Sequence, residues 1–297
     1  MHDPAVDKFT TLRGLRFHYR EYGRPEDRPL VLLHGVASNS RIWITTAPLL
    51  DERFHVLALD QRGHGESAKP DSGYDFASVV GDTLAFLDEL HLERPVLAGH
   101  SWGGNVAIEF AATHPDRTAA LVLVDGGFME LSMREGATWE RAEREMAPPD
   151  LTHLTPAKLL EMAKQWELGP IWTDEVEAAL LANFDITEAG TIRPRLRREN
   201  HMQIVRALWD QRPSDLCARV RCPVLFIAAE REGSARAREW VEMKRETIAR
   251  LSQLLADCQI RWFADTIHDI PLQRPRELAQ TIAEFALGID GRTTARA

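Results

Sequence analysis

The chain has 297 residues, 44% of them hydrophobic and 27% charged, with 18 Gly and 16 Pro, a profile that excludes a disordered or collagen-like polypeptide and fits a globular enzyme. Lys and Arg number 36 against 45 Asp and Glu, a net charge of -9, and neither half carries a basic stripe, so nucleic acid is not an expected partner. The start, MHDPAVDKFTTLRG, lacks the features of a signal peptide and no apolar run nears the ~18 residues of a membrane span, so a soluble, cytoplasmic protein without a membrane partner is expected.

In chain order, short apolar runs recur, each closed by Gly, Asp or His. Leu30 to Leu33 precedes His34-Gly35, His55 to Leu59 precedes Asp60, Val96 to Ala98 precedes Gly99, and Ala120 to Val124 precedes Asp125. Val224 to Ala228 and Gln259 to Phe263 follow further on. Such unbroken runs suit strands buried on both faces, as in a parallel sheet. Helix-length stretches separate them: Phe76 to Leu90 sets Val79, Val80, Leu84, Phe86, Leu87 and Leu90 at helical spacing, and Val106 to Ala112 continues in that style. The alternation predicts an α/β fold.

Between Phe128 and about Asp215 the alternation stops. Helical patterns at Pro156 to Trp166, Asp174 to Asn183 and Arg197 to Trp209 follow Pro148-Pro149, with no convincing strand. The segment reads as a helical insertion, giving a core of residues 1–127 and 216–297 and a cap of 128–215. Trp139, Trp166, Trp172 and Trp209, four of the chain's eight Trp, serve there either as core or as walls of an apolar pocket; a cap over Ser101 with Trp-lined walls is expected.

Gly99-His100-Ser101-Trp102-Gly103 stands between an expected strand and an expected helix, which is the context of a G-x-S-x-G nucleophile elbow. A sharp turn there strains the Ser101 backbone and lifts its hydroxyl to the carboxyl edge of the sheet, and glycines on either side avoid collisions with strand and helix. A serine hydroxyl needs a base, and that base needs an orienting group. Of the eleven His, His268 follows the last expected strand and comes after the serine in the chain, so it is the candidate base. His34, His64 and His100 are expected to be scaffolding. Cys217, Cys222 and Cys258 form no CxxC pair and lie near no His at zinc spacing, so they are expected to be free thiols, and neither a metal nor a cofactor is expected.

With these motifs the chain resembles the α/β-hydrolase fold superfamily over nearly its whole length. Besides the elbow, His34-Gly35 closes a strand with Trp43 eight residues beyond Gly35; Asp60-Gln61-Arg62-Gly63-His64-Gly65-Glu66-Ser67 is similar to the family's D-x-R-G-x-G-x-S segment; and Ile267-His268-Asp269 is followed by Pro275 and a last helix. The resemblance implies a mostly parallel eight-stranded sheet flanked by helices, with the cap inserted after the sixth strand. It also implies an oxyanion hole from the backbone N–H groups of Val36 and Trp102. For the acid it offers two places. After Val224 to Ala228 the chain reads Ala229-Glu230-Arg231-Glu232 instead of the family's G-x-x-D, whereas Val124 is followed by Asp125-Gly126-Gly127; Asp125 is the expected acid and Glu232 the alternative. Asp269, next to the histidine, is expected to point elsewhere.

Dehalogenases and epoxide hydrolases of this family attack with a carboxylate, where this chain has Ser101, and its three Tyr (Tyr19, Tyr22, Tyr74) lie outside the insertion. The expected function is hydrolysis of a small apolar carboxylic ester or lactone through an acyl-enzyme. A proline iminopeptidase-like amidase, using Glu140, Glu143, Glu145 or Glu161 for the substrate amine, and a C–C bond hydrolase are alternatives, as is a non-catalytic ligand receptor on the same scaffold. A homodimer is left open.

Overall fold

A computed structural model describes residues 4–231 and 233–289. Its ten strands are β1 (Val6–Leu12), β2 (Leu15–Tyr22), β3 (Arg28–Leu33), β4 (Phe54–Leu59), β5 (Val96–His100), β6 (Ala120–Val124), β7 (Phe184–Ile186), β8 (Ile192–Pro194), β9 (Val224–Glu230) and β10 (Cys258–Ala264). Helices α1 (Phe76–Glu89) and α2 (Trp102–Thr113) alternate with the early strands. Between β6 and β9 come α3 (Trp139–Met146), α4 (Pro156–Ala163), α5 (Asp174–Leu181), α6 (Arg198–Asp210) and α7 (Pro213–Cys217); α8 (Ala235–Ser252), α9 (Ile270–Gln273) and α10 (Pro275–Leu287) complete the chain. None of the described helices is long and apolar enough to cross a membrane.

Eight strands form one sheet in the order β1-β2-β4-β3-β5-β6-β9-β10. β1 pairs antiparallel with β2, and β2 with β4; every later pair is parallel. The mostly parallel, eight-stranded α/β-hydrolase sheet is thus present. Alternate side chains of each central strand feed two cores. On one face Val31, Leu33, Leu57, Leu97, Leu121, Leu123 and Phe226 meet α1, α2 and α8 through Phe86, Val106, Phe110, Ile248 and Leu251. On the other, Leu30, Leu32, Val56, Val96, Val122, Leu225 and Ile227 meet α10 through Leu278, Ile282 and Phe285, with Trp43 beside them.

Two differences from the sequence expectation have physical causes. β1 escapes an apolar-run reading because it is the mostly exposed edge strand of a hairpin, and β2, though largely buried, because the buried polar residues His18 and Arg20 alternate with its apolar ones. The hairpin's turn residues Arg13 and Gly14 both have positive φ, 51° and 80°, the requirement of a two-residue hairpin that keeps the strand twist. The segment between β6 and β9 is also not purely helical. β7 and β8 pair antiparallel across Thr187–Thr191, where Gly190 has φ 77°, and three-residue strands are too short to leave a period of two.

The carboxyl edge is fastened by Asp60, buried just after β4. Its Oδ2 accepts from His18 Nδ1 at 2.7 Å and from the Glu66 N–H at 2.9 Å, and its Oδ1 from the Ser40 N–H at 2.6 Å. Burial alone would raise its pKa, but the His18 partner and the backbone donor hold it well below the ordinary carboxylate range. Its contribution to stability is therefore present above the unfolded Asp pKa of ~3.9 and lost as pH falls below it. Asp60→Ala is expected to destabilise the protein by about 3 kcal/mol at pH 7 in urea unfolding, because it strands three donors, two of them buried, and the deficit relative to wild type should shrink below about pH 4.

Candidate active site

β5 ends at His100, and the chain reverses into α2 through Ser101, which adopts φ 54° and ψ -123°. This left-handed conformation is costly for a residue with a Cβ and persists only where its surroundings enforce it. The elbow's glycines do so: a Cβ on Gly99 would stand 2.2 Å from the Gly103 carbonyl oxygen, and one on Gly103 would stand 2.4 Å from that of Leu33. Serine at a helix N-cap ordinarily bonds the first turn, yet Ser101 makes no side-chain cap bond. Its hydroxyl is left to the cavity that it lines.

β6 lies beside β5, with His100 opposite Val124, so the residue after each strand emerges at the same edge. Asp125 also has positive φ, 42°, and a Cβ on Gly126 would meet the Ser101 carbonyl oxygen at 2.0 Å. The two turns therefore pack backbone to backbone. The Asp125 side chain is buried, and its Oδ2 accepts from His268 Nδ1 at 2.6 Å. An ionised carboxylate can only accept, so the Nδ1 proton belongs to His268, and in the neutral ring its Nε2 carries the free lone pair. On Oδ1 the carboxylate accepts from the Ala229 N–H at 3.0 Å and from Lys244 Nζ at 2.8 Å. Burial would raise the Asp125 pKa, but His268 and Lys244 bring it down to about 2. His268 shows the opposite outcome: desolvation lowers its pKa, and the Asp125 hydrogen bond and charge more than reverse this, so it lies above its ordinary value.

His100 Nε2–H donates to the His268 carbonyl at 2.9 Å, and the two rings lie 4.8 Å apart. Burial, with the neighbouring His268, lowers the His100 pKa to about 4, so it is neutral near pH 7 and anchors the His268 backbone. His34 and His64 are likewise pinned to backbone, donating from Nδ1 to the carbonyls of Gly35 at 2.7 Å and Arg62 at 2.9 Å. The His64 ring stacks on Trp102. A Cβ on Gly35 would lie 3.0 Å from Ser101 Cβ and 3.4 Å from its Oγ, so the Gly35-Val36 segment passes directly beside the serine. Trp102 is the first residue of α2, whose N–H no helical carbonyl can take. Val36 and Trp102 both line the Ser101 cavity. Glu232, the alternative acid, lies outside the described residues.

The cavity holds about 210 Å³ and contains Ser101, Asp125 and His268 among walls of Phe128, Met129, Met146, Leu208, Trp102 and Trp240, with Asn105 as a polar member. A wider cleft of about 880 Å³ adjoins it and shares Asp125, Trp240 and His268. The tryptophan expectation is corrected here, because none of the four insertion tryptophans lines the Ser101 cavity among the described residues. Trp139 packs edge to face on Trp209 at 6.0 Å, Trp166 is 44% exposed, and Trp172 joins the core beneath Lys164. α6 sends Leu208 inward, which turns Trp209 about 100° away around the helix. Sequence reasoning missed Lys244 and Trp240. Lys244 had a signal, since it stands four and seven residues before Ile248 and Leu251, on the stripe that α8 buries.

Nuclear magnetic resonance titration of the histidine rings is expected to give His268 a pKa above the ordinary ~6.5 and His100 one near 4. The His268 pair thus contributes stability in full below ~6.5 and loses it as pH rises through the folded value.

The family model described as the α/β hydrolase fold matches residues 28–154. A soluble epoxide hydrolase of a Corynebacterium species is 37% identical over 114 residues, 38% of this chain and 39% of that protein. The match to another curated relative covers 36% of it, so the chain aligns with little more than a third of such relatives. Among solved structures, an E-2-(acetamidomethylene)succinate hydrolase superposes with TM-score 0.75 at 22% identity over 95% of this chain and 98% of its own. The enol-lactonase from Burkholderia xenovorans does so with TM-score 0.72 at 20% identity over 94% and 99%. Sheet order, elbow and family model agree that the chain has the α/β-hydrolase fold, with residues 28–154 matching its family model.

Proposed function

We propose that the protein is a serine hydrolase that cleaves a small apolar carboxylic ester or lactone. The observation that carries the reading is one cavity in which Ser101 and His268 face the same space while Asp125 holds His268 Nδ1 at 2.6 Å. Ser101 Oγ attacks the carbonyl carbon as His268 Nε2 takes its proton; the Val36 and Trp102 N–H groups receive the developing oxyanion. Collapse of that intermediate passes the proton to the leaving alkoxide and leaves an acyl-Ser101, which water, deprotonated by His268, then hydrolyses. Residues 128–215 act as a cap: Phe128, Met129, Met146 and Leu208 come from that segment, and apolar walls favour an apolar acyl or ring group.

The likeness to an enol-lactonase supports the lactone branch. An aminopeptidase would place a carboxylate where the substrate amine sits, but Glu145 pairs with Arg141 and Glu161 with Lys158, and no Glu is among the described residues lining the Ser101 cavity. With p-nitrophenyl esters and simple lactones as substrates, Ser101→Ala is expected to abolish turnover without loss of fold, and Asp125→Asn to lower kcat by ~10² to 10⁴. Glu232→Gln should stay within about threefold of wild type, as expected for a residue outside the triad. Near-wild-type turnover in Ser101→Ala would overturn the serine-hydrolase reading, absence of turnover in the wild type would favour a ligand receptor, and the reverse ranking of the two acids would move the orienting role to Glu232.

A further inference from the structure

Lys244 is a charged residue on an otherwise apolar stripe, and its side chain is only 3% exposed. A buried ammonium is costly unless each of its protons finds an acceptor. Here Nζ donates to Asp125 Oδ1 at 2.8 Å and to the Ala229 carbonyl at 2.5 Å. Asp125 therefore lies between two cationic or potentially cationic groups, Lys244 on Oδ1 and His268 on Oδ2. With the Ala229 N–H also on Oδ1, the carboxylate cannot rotate without breaking contacts on both oxygens. The lysine stands beyond β9, in the region where the family's usual acid pattern is broken in this chain.

We propose that Lys244 is a positioning residue of the Ser101–His268–Asp125 set, fixing the Asp125 carboxylate toward His268 and, by its charge, setting the pH at which His268 becomes a base. The inference rests on the serine-hydrolase reading for its catalytic meaning but not for its electrostatics. A cation on the far side of Asp125 offsets part of the negative charge that favours the imidazolium, so His268 is a weaker base than in an isolated Asp–His pair. The other ionisable groups around His268 do not substitute for it. His100 is uncharged near neutral pH, and Asp269 follows His268 in the chain. Across the cleft Arg141 and Arg231 are matched by Glu145 and Glu167. Arg134 lies over Trp240, and Glu135, Glu239 and Glu246 are exposed at the cleft wall, where water screens them.

The test is the His268 titration followed by nuclear magnetic resonance in parallel with the pH profile of kcat/KM. Lys244→Met is expected to raise both the His268 pKa and the acid limb by on the order of one unit, and to lower plateau kcat about tenfold as the carboxylate loosens. Lys244→Arg, which keeps the charge, should return the acid limb to within about 0.3 unit of wild type. A folded Lys244→Met protein with unmoved His268 pKa and acid limb would overturn the proposal. Asp125→Asn gives a second reading that needs no change at Lys244: the uncompensated lysine should drive His268 at least about one unit below ~6.5, and a value at or above ~6.5 would contradict the proposed field. Both titrations proceed without substrate, so absence of ester turnover would refute the hydrolase reading and leave the electrostatic result standing.

Discussion

The buried Asp125 carboxylate is the constraint to which the rest of the edge is fitted. An ionised group this far from water needs donors on both oxygens, and it has three: the Ala229 N–H, Lys244 and His268. Each comes from a different part of the chain. The β6–β9 register, with Val124 opposite Ile227, brings Ala229 into reach; α8 delivers Lys244; the loop after β10 delivers His268. Removing one member of such a buried charged set commonly costs ~3–5 kcal/mol, so orientation and stability are the same interaction here. The strained backbone of Asp125 and the close packing of Gly126 on the Ser101 carbonyl tie the acid's turn to the serine's.

Around that centre the sheet does what parallel sheets do at their carboxyl ends. Adjacent strands stop together, loops diverge, and a crevice opens over the strand ends. The serine is presented by steric exclusion more than by attraction. Gly99, Gly103 and Gly126 let backbone segments approach to distances that a methyl group forbids, Gly35 passes tightly beside the serine side chain, and the serine faces the cavity. Met and aromatic side chains line that space, and an apolar lining strengthens electrostatic contacts made within it.

The sequence was most legible where geometry leaves little choice. The six apolar runs correspond to β3, β4, β5, β6, β9 and β10; for the first five this is because strands buried on both faces admit few polar residues, whereas β10, at the sheet edge, is mostly half-buried. The elbow was legible because its glycines are sterically required. Asp125 was selected by a broken pattern elsewhere and by the Gly126-Gly127 turn, and the structure brings it to His268. The edge hairpin and the β7–β8 pair were hidden, the first by the exposure of β1 and the buried polar His18 and Arg20 of β2, the second by its brevity. The walls of the cavity were misjudged for a different reason: composition counts tryptophans, but helical phase decides which of them turn inward. Leu208 takes the inward position, and Trp240, outside the insertion, closes the cavity from α8. Lys244 was legible as an anomaly on an apolar stripe, yet its partner is 119 residues away in the chain, and only the fold reveals it.

The central claim, that Ser101 is a nucleophile activated by His268, is tested most directly by covalent labelling with a fluorophosphonate followed by peptide mass spectrometry. A single adduct on Ser101 is expected, formed at a rate that falls by orders of magnitude in His268→Gln. An unlabelled protein, an adduct on another residue, or a rate indifferent to His268 would contradict it.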